Sequence, residues 1–545
     1  MFRIEYYLKN KIEAALDKLS YPKTPFAFGI PKLEQHGDLS VNIAMQLASE
    51  VKQNPRQIAQ QILQHLDLDP EYLSRAEVAG PGFINFFYSE KFLQQVVHQI
   101  ISVGDQFGRQ EEGRGKKAQV EFVSANPTGP LTIGHGRQAV LGDTIANLLE
   151  WNGYQVTREY YFNNAGRQMQ ILGESVRIRY LQQLGEKLEF PPDYYQGAYI
   201  EDIARTLVEK YGDGLKNSAD LSIFKDTAEQ MIFQDIQQTL KRLGIVFDVF
   251  FNEKDLYDNG EIDRVIQLFK EKDLAYEKDG ALWFRSTRFG QPQDRVIVKS
   301  NGEPTYRLPD IAYHKNKFER GFDLIVDIFG ADHIATYPDV LAGIQALGYD
   351  PSRVKVLIHQ FVTLYEEKEK VKMSTRKANF VTLDELIDEV GVDATRWFFL
   401  MRSMDSHLNF DLTLAKTQSE ENPVYYNQYA HARIRSILRN AREKNMAYQD
   451  PESLSRLQHP AEFQLIKKLL EFPQWVDRCA REYTPHLITQ YLSEVSTVFH
   501  KFYTECWVLG EDTALTQARL ALCQATQVVL ANGFRIIGVA APEKM

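Results

Sequence analysis

Cysteine is scarce in this chain of 545 residues: Cys479, Cys506 and Cys523 are the only three, an odd number with no C-x-x-C spacing. That argues against a disulfide framework and a thiolate zinc site, and it fits a reducing compartment. No apolar run approaches the roughly 18 to 20 residues that cross a bilayer, so no membrane partner is expected. The opening text "MFRIEYYLKNKIEAALDKL" mixes acids with bases. It lacks the uninterrupted apolar core and cleavage site of a secretory signal, which makes a cytoplasmic location the expectation. The Walker pattern G-x-x-x-x-G-K-[ST] is missing too. Positive charge is in short supply, with 63 Lys+Arg against 73 Asp+Glu and a net charge of −10, which speaks against indiscriminate nucleic-acid binding. The deficit is uneven. From Asp411 onward 15 bases balance 15 acids, so the preceding part carries the whole −10. The C-terminal part is the less repulsive one for a polyanion, although net charge alone neither establishes nor excludes an RNA partner.

What is present is an ordinary globular composition on a chain too long for one core, so two to four domains are expected. Residues 1–107 alternate helical text with short strands such as "PGFINFFY", an α+β pattern that ends at a polar, glycine-bearing linker, 108–117. Residues 118–400 alternate strands and helices, the α/β pattern of a doubly wound parallel sheet, with strands at "AQVEFVSA", "YQVTREYYF", "FDLIVDIFG" and "VKVLIHQFVTLY". Inside it, about 170–275 reads as a charged helical insertion, and "RVIVKSNGEPTYRL" carries a hairpin signal at Asn301-Gly302. Residues 405–545 read as an all-α bundle.

The stretch "EFVSANPTGPLTIGHGRQAVLGD", 121–143, carries the chemistry. A strand feeds a loop with Pro127 and Pro130, then Gly134, His135 and Gly136, then a helix whose apolar face is Val140, Leu141, Thr144, Ile145, Leu148 and Leu149. A helix N-terminus just beyond a strand suits phosphate, because free N–H groups and the positive dipole end converge there. Gly134 and Gly136 would remove Cβ atoms that hold a phosphate off, and His135 would donate to the anion. Two other readings compete. A lone histidine is more often structural. "GHGRQA" also fits the dinucleotide fingerprint with Glu159 at ribose distance, but its first glycine should follow the strand directly, whereas about ten residues intervene here.

A second element lies about 240 residues downstream, the basic, hydroxyl-rich "VKMSTRKANF", 371–380. Together the two loops resemble the histidine-glycine-histidine and lysine-methionine-serine loops of class I aminoacyl-tRNA synthetases. Among these the chain is most similar to the arginyl-tRNA synthetases, through "YFNNAGRQ", "GEPTYRLPDIAYHKNKFERGFD", "FGADHIATY", "VGVDATRWFFLMRSMDSHLNFDL", "GVAAPEKM" and the N-terminal "HGDLSVNIAMQLA". The resemblance runs nearly end to end. It implies a Rossmann-type catalytic domain flanked by an additional N-terminal domain and an anticodon-binding bundle. It also implies that arginine is activated with ATP and Mg2+ and passed to tRNA(Arg), without a tightly bound cofactor or resident metal, in a monomer whose activation step needs the tRNA.

The resemblance also assigns roles. Thr132, His135, Lys372, Ser374 and Lys377 are the candidate catalytic residues, and Pro130, Gly134, His135, Gly136, Lys372, Met373 and Ser374 would hold ATP. Glu121, Ser124 and Asn126 match positions that hold the α-amino and carboxylate ends of arginine. Tyr306, Asp310 and Asp332 match the wall around its guanidinium, a planar group with five donors that carboxylates suit best. Tyr306 as core and Asp310 as a helix cap are the structural alternatives. For tRNA, the resemblance offers Asn85 at the elbow and Tyr425, Tyr429, Arg435, Arg439 and Met545 in the bundle, where Arg435, Arg439 and Arg442 share a helix face. Two positions depart from the expected pattern: Thr132 stands where the family's first loop usually opens with histidine, and Thr375 where class I enzymes usually carry a second lysine. A non-catalytic tRNA-binding relative and a nicotinamide-dependent dehydrogenase are the competing functions. The second leaves the basic loop and the helical tail unexplained.

Overall fold

The computed structural model describes residues 3–545 apart from 32, 165, 332, 333, 335 and 372–380. The N-terminal unit runs α1 (Ile4–Lys18), β1 (Phe28–Gly29), β2 (Leu39–Val41), α2 (Ile43–Val51), α3 (Pro55–His65), β3 (Leu73–Ala79), β4 (Phe83–Tyr88) and α4 (Glu90–Val103). Its sheet is antiparallel in the order β1-β2-β4-β3. Local chemistry sets the helix starts. The Asn54 side chain accepts from the Arg56 N–H ahead of Pro55, and Ser89 accepts from the Phe92 N–H.

The catalytic unit opens with β5 (Lys117–Glu121), α5 (Ile133–Trp151) and β6 (Gln155–Phe162), followed by α6 (Arg167–Gln183), α7 (Ala198–Tyr211) and α8 (Ser222–Arg242). Next come β7 (Val249–Asn252), α9 (Glu253–Asp258), α10 (Glu261–Glu271), β8 (Ala275–Lys278), β9 (Ala281–Phe284), β10 (Arg295–Val298) and α11 (Arg307–Glu319). It closes with β11 (Leu324–Gly330), α12 (Tyr337–Leu347), β12 (Val354–His359), β13 (Val362–Glu366), β14 (Glu369–Lys370), α13 (Leu383–Val390) and α14 (Val392–Leu400). Five strands form a parallel sheet in the order β12-β11-β5-β6-β7. Both faces of β5 are covered, as a parallel sheet requires. Ala118, Val120 and Phe122 face α5, which lies so close that a Cβ on Gly142 would meet Phe122 at 2.2 Å. The opposite face of the sheet lies under α11.

Three sequence expectations change. The 170–275 stretch is not helical throughout, because 249–252 forms β7, the edge strand of the central sheet. "VKVLIHQFVTLY" is two strands in different sheets, β12 beside β11 and β13 beside β14 and β15 (Leu408–Asp411). The break falls at Gln360, whose N–H donates to Met404 O. The text after 405 is likewise not wholly helical, since β15 pairs in parallel with β13 before α15 (Leu412–Lys416). The hairpin at Asn301-Gly302 closes through Lys299 N–H to Glu303 O, but its second arm is one bridge, Val298 to Pro304, and Arg307 already begins α11.

The bundle consists of α16 (Pro423–Glu443), α17 (Pro460–Leu470), α18 (Phe472–Glu482), α19 (His486–Glu505) and α20 (Thr513–Ile537). By length and composition α20 is apolar enough to cross a membrane, which the sequence reading overlooked, yet 72% of its apolar window is buried in the protein. It is a core helix. Its C-terminal end is fixed to the catalytic unit by Arg396 of "DATR", which is 1% exposed. Arg396 ion-pairs with Asp143 of α5 at 2.5 Å and donates to the carbonyls of Ile537 and Leu243 at 2.7 and 2.8 Å. Gly538 turns left-handed there (φ 67°), and a Cβ on it would strike the guanidinium at 2.3 Å. Arg396→Met is expected to lower unfolding free energy by about 3 to 5 kcal/mol, the cost of breaking a buried pair, measured by denaturant unfolding. A loss under about 1 kcal/mol would mean that Arg158, 3.4 Å from Asp143, takes over the carboxylate.

Candidate active site

In the strand order β12-β11-β5-β6-β7, successive units wind outward on either side of β5, so the switch point lies between β5 and β11. Ligands in such sheets bind beyond the carboxyl ends of the strands at that crevice. Here it is bordered by the segment leaving β5, the N-terminus of α5 and the first turn of α11.

The chain leaves β5 under strain. Val123 and Ser124 both have positive φ, 68° and 41°, a region a β-branched residue rarely enters. Three contacts hold the bend. Ser124 Oγ donates to Glu121 Oε1 at 3.0 Å and accepts from Tyr161 N–H at 3.1 Å, and Tyr160 OH donates to Ala125 O at 2.7 Å. Asn126 is exposed beyond the bend, with its Nδ2 on Gln168 Oε1 at 2.8 Å. Tyr199 of α7 donates to Thr128 O at 2.6 Å, so the inserted helices rest on this loop ahead of Pro130.

Thr132 is the N-cap of α5, and its N–H donates to His135 Nδ1 at 3.1 Å. With Nδ1 accepting, the neutral ring carries its proton on Nε2. Among the described residues Gly134 has nothing closer to a would-be Cβ than Thr132 Oγ1 at 3.7 Å, so these residues leave open space for an anion. Gly136 does not. A Cβ there would meet Leu383 at 2.5 Å and Phe399 at 3.0 Å, so this glycine exists for packing of α13 and α14 rather than for phosphate. The residues that follow the second loop in sequence pack against the first. Thr382 bridges Thr132, and Leu383 N–H donates to Leu131 O at 2.8 Å. Lys372, Met373, Ser374 and Lys377, like Asp332, lie outside the described residues.

The α11 face of the sheet is ionic. Lys317, fully buried, bridges Glu121 and Asp327 at 2.6 Å each, and His314 Nε2 lies 2.8 Å from Asp327. Burial raises Asp327, but Lys317 and His314 outweigh it and hold this carboxyl below its usual range. Glu159, the candidate ribose partner of the dinucleotide reading, is consumed here by Arg320 and by Tyr313 OH at 2.6 Å. It faces no crevice.

Asp310 lies in the first turn of α11 and does not cap that helix, and Tyr306, 55% exposed, is no core residue. Desolvation pushes Asp310 up to about 7; the charges of His314 and Lys317 oppose the shift, while Glu121 and Glu253 add to it. Glu253, at the exit of β7, was missed in the sequence because it sits in text read as helical insertion. It accepts from Tyr161 OH at 2.9 Å, and burial raises its pKa. The Arg307 guanidinium lies over the Tyr306 ring at 4.7 Å.

The residues matched to RNA fare unevenly. Asn85 is only 3% exposed within β4, so its side chain is not on offer to an RNA elbow. Tyr425 and Tyr429 stack at 6.1 Å, and the stack continues to His500 and to Arg433, which lies over Tyr429 and Tyr503 at 4.7 and 5.1 Å. Arg435 is instead ion-paired with Glu543 of the tail, whereas Arg439 and Met545 are exposed. The helix-face row of Arg435, Arg439 and Arg442 left out Arg433, the arginine that joins the aromatic ladder.

A parallel sheet with a glycine-histidine turn at its switch point, followed by a helical bundle, is the architecture of a class I tRNA synthetase. The family model described as tRNA synthetases class I (R), catalytic domain, matches residues 96–399. Those for the arginyl tRNA synthetase N terminal domain and the DALR anticodon binding domain match 6–88 and 427–545. The arginine–tRNA ligase of Desulfotalea psychrophila is 54% identical over 95% of this chain and 94% of its own, and that of Salinibacter ruber is 49% identical over 99% and 100%. The arginyl-tRNA synthetase of Thermus thermophilus shares the fold at a TM-score of 0.79 with 22% identity, covering all of both chains. The chain belongs to the arginine–tRNA ligase family.

Proposed function

We propose that this chain activates L-arginine with ATP and transfers it to the 3′ end of tRNA(Arg), releasing AMP and pyrophosphate. The observation that carries this reading is the carboxylate set Asp310, Glu121 and Glu253. Lys317 is shared between Glu121 and Asp327, and Asp310 has no ion pair among the described residues. A guanidinium supplies the missing charge and donors. Asp310 takes the guanidinium, with Tyr306 and Asp332 on the same wall. Glu121, Ser124 and Asn126 hold the α-amino and carboxylate ends.

The substrate carboxylate then attacks the α-phosphorus of ATP, forming the acyl–phosphate bond as the bond to the β-phosphate oxygen breaks and pyrophosphate leaves. Charge grows on the phosphate oxygens, where the N-terminus of α5, the open flank of Gly134 and His135 Nε2–H stabilise it. Mg2+ enters with ATP as part of the substrate, and Lys372, Met373, Ser374 and Lys377 meet the same phosphates. A terminal ribose hydroxyl of tRNA next attacks the arginyl carbonyl, and AMP leaves. The ladder Tyr425, Tyr429, Arg433, His500 and Tyr503 offers stacking to anticodon bases. We assign a cytoplasmic monomer without membrane contact.

Exchange of labelled pyrophosphate into ATP tests the reading: it is expected with arginine plus tRNA and to fail with lysine. No exchange under any substrate combination would leave a non-catalytic tRNA-binding relative. The elevated Asp310 also sets a pH dependence. Guanidinium binds the ionised carboxylate, so arginine binding releases a proton below pH 7. The KM for arginine is therefore expected to be flat above about pH 7 and to rise nearly tenfold per unit below it, while the KM for ATP does not follow. A flat arginine KM from pH 8 to pH 6 would remove Asp310 from the pocket.

A further inference from the structure

Arg137 follows the Gly134-His135-Gly136 turn directly and lies in the N-terminal part of α5. It and Arg396 are the two buried arginines among the described residues, at 0% and 1% exposure. Their surroundings differ in kind. Arg396 has the Asp143 carboxylate. Among the described residues Arg137 has backbone partners only: Nη1 donates to the carbonyls of Gln360 and Ser406 at 2.7 and 3.0 Å, and Nη2 donates to that of Ser403 at 2.9 Å. Its Nε is buried without a partner among the described residues. Burial pushes the guanidinium down to about 10, with only the charge of Asp405, on the same turn as two of the carbonyls, opposing.

Carbonyls orient a guanidinium but do not neutralise it, so a full positive charge is buried here without an ion-pair partner among the described residues. That arrangement is costly unless something else compensates it. An uncharged amide, with two N–H donors on one nitrogen, could tie two of these three carbonyls without the charge penalty, so a fully buried charge is a high cost for the third bond. The position suggests what compensates. Gln360 follows the last residue of β12, at the carboxyl edge of the sheet, and Arg137 belongs to the helix whose N-terminus faces the crevice. The segment from Glu121 to Gly136 carries no lysine or arginine, and Thr132 stands where the first loop of the family usually opens with histidine.

We propose that Arg137 is a positioning charge for the nucleotide: it does not touch ATP, and its field, added to the α5 dipole, draws and orients the polyphosphate. The proposal rests on the reading that ATP docks at the Gly134-His135 turn. Such a field acts in proportion to ligand charge, whereas a hydrogen-bonding tie between segments is blind to it.

The test compares dissociation constants of ATP, ADP, AMP and adenosine, at one ionic strength, for the wild-type protein, Arg137→Lys and Arg137→Gln. Arg137→Gln is expected to weaken ATP about tenfold, ADP and AMP by successively less, and adenosine less than twofold. Arg137→Lys, which keeps the charge and loses the fork, is expected to preserve the wild-type ratio of ATP to adenosine affinity. Equal losses for all four ligands, no loss in Arg137→Gln, or a drop of that ratio in Arg137→Lys would overturn the proposal and leave Arg137 as a structural tie. If Arg137→Gln does not fold, the ratio in Arg137→Lys decides alone: preserved, it supports the charge; reduced, it overturns it. Failure of the wild-type protein to prefer ATP over adenosine would instead overturn the docking of ATP at this turn.

Discussion

Asp310→Asn is expected to raise the KM for arginine by about 30- to 1000-fold and to leave that for ATP within about threefold. The substitution keeps the size of the side chain and changes two things: the charge facing the guanidinium disappears, and an N–H₂ group is set against donor edges of the substrate. A charge-assisted pair lost in this way costs about 2 to 4 kcal/mol. The pH dependence of arginine KM should vanish with it, since the titrating group is gone. Stability should move the other way. Folding raises the Asp310 pKa from 3.8 to about 7. The unfolded chain therefore loses this proton first as pH rises, and the carboxylate progressively destabilises the empty fold between about pH 4 and pH 7. Asparagine never pays that penalty, so the variant is expected to gain on the order of 1 to 3 kcal/mol above pH 7 and nothing below about pH 4. Equal rises in the KM for both substrates, or a loss of stability at pH 8, would make Asp310 a structural residue.

The strand-loop-helix at 121–143 was legible because prolines, glycines and a 3.6-residue apolar period mark its segments in turn. Other features were hidden for identifiable reasons. Gly134 and Gly136 look alike in text, and only the neighbours Leu383 and Phe399 show that the second is a packing glycine. Nothing in the text marks Arg137, Lys317 and Arg396 as buried, since most such residues lie at the surface, but each is buried. Their partners lie as far away in sequence as Gln360, Glu121 and Asp143. Glu253 was masked by the shortness of β7, four residues within charged text. The pairing of β13 with β15, across the segment that holds the second loop, has no local signal at all. Exposure on a helix is also underdetermined by spacing. Arg433 and Arg435 differ by two positions, yet one joins the aromatic ladder and the other pairs with Glu543.

Lys377→Ala is expected to slow formation of the adenylate by about 10²-fold or more, about 2.7 kcal/mol or above, with tRNA affinity unchanged. Thr132 stands where the family's first loop usually opens with histidine, and Thr375 where class I enzymes usually carry a second lysine, so stabilisation of the departing pyrophosphate would need a cation from elsewhere. Thr132 is accounted for: its N–H orients His135, and it bridges Thr382. That bridge ties the end of the second loop to the start of the first. Lys377 precedes Thr382 by five positions in the sequence, a chain reach of at most about 18 Å. Arg137 cannot substitute, because its guanidinium is buried and held by three backbone acceptors. Arg376 is the neighbouring alternative, but a flexible ammonium reaches further into a phosphate site than a planar fork does. The two cations would divide the work, Arg137 acting on the ground-state polyanion and Lys377 on the charge that grows as pyrophosphate leaves. Lys377→Ala should therefore lower the single-turnover rate and leave the ATP dissociation constant within about threefold, the reverse of Arg137→Gln. A single-turnover rate within a few-fold of wild type would sink this assignment, and Lys372 and Arg376 would then be the residues to replace.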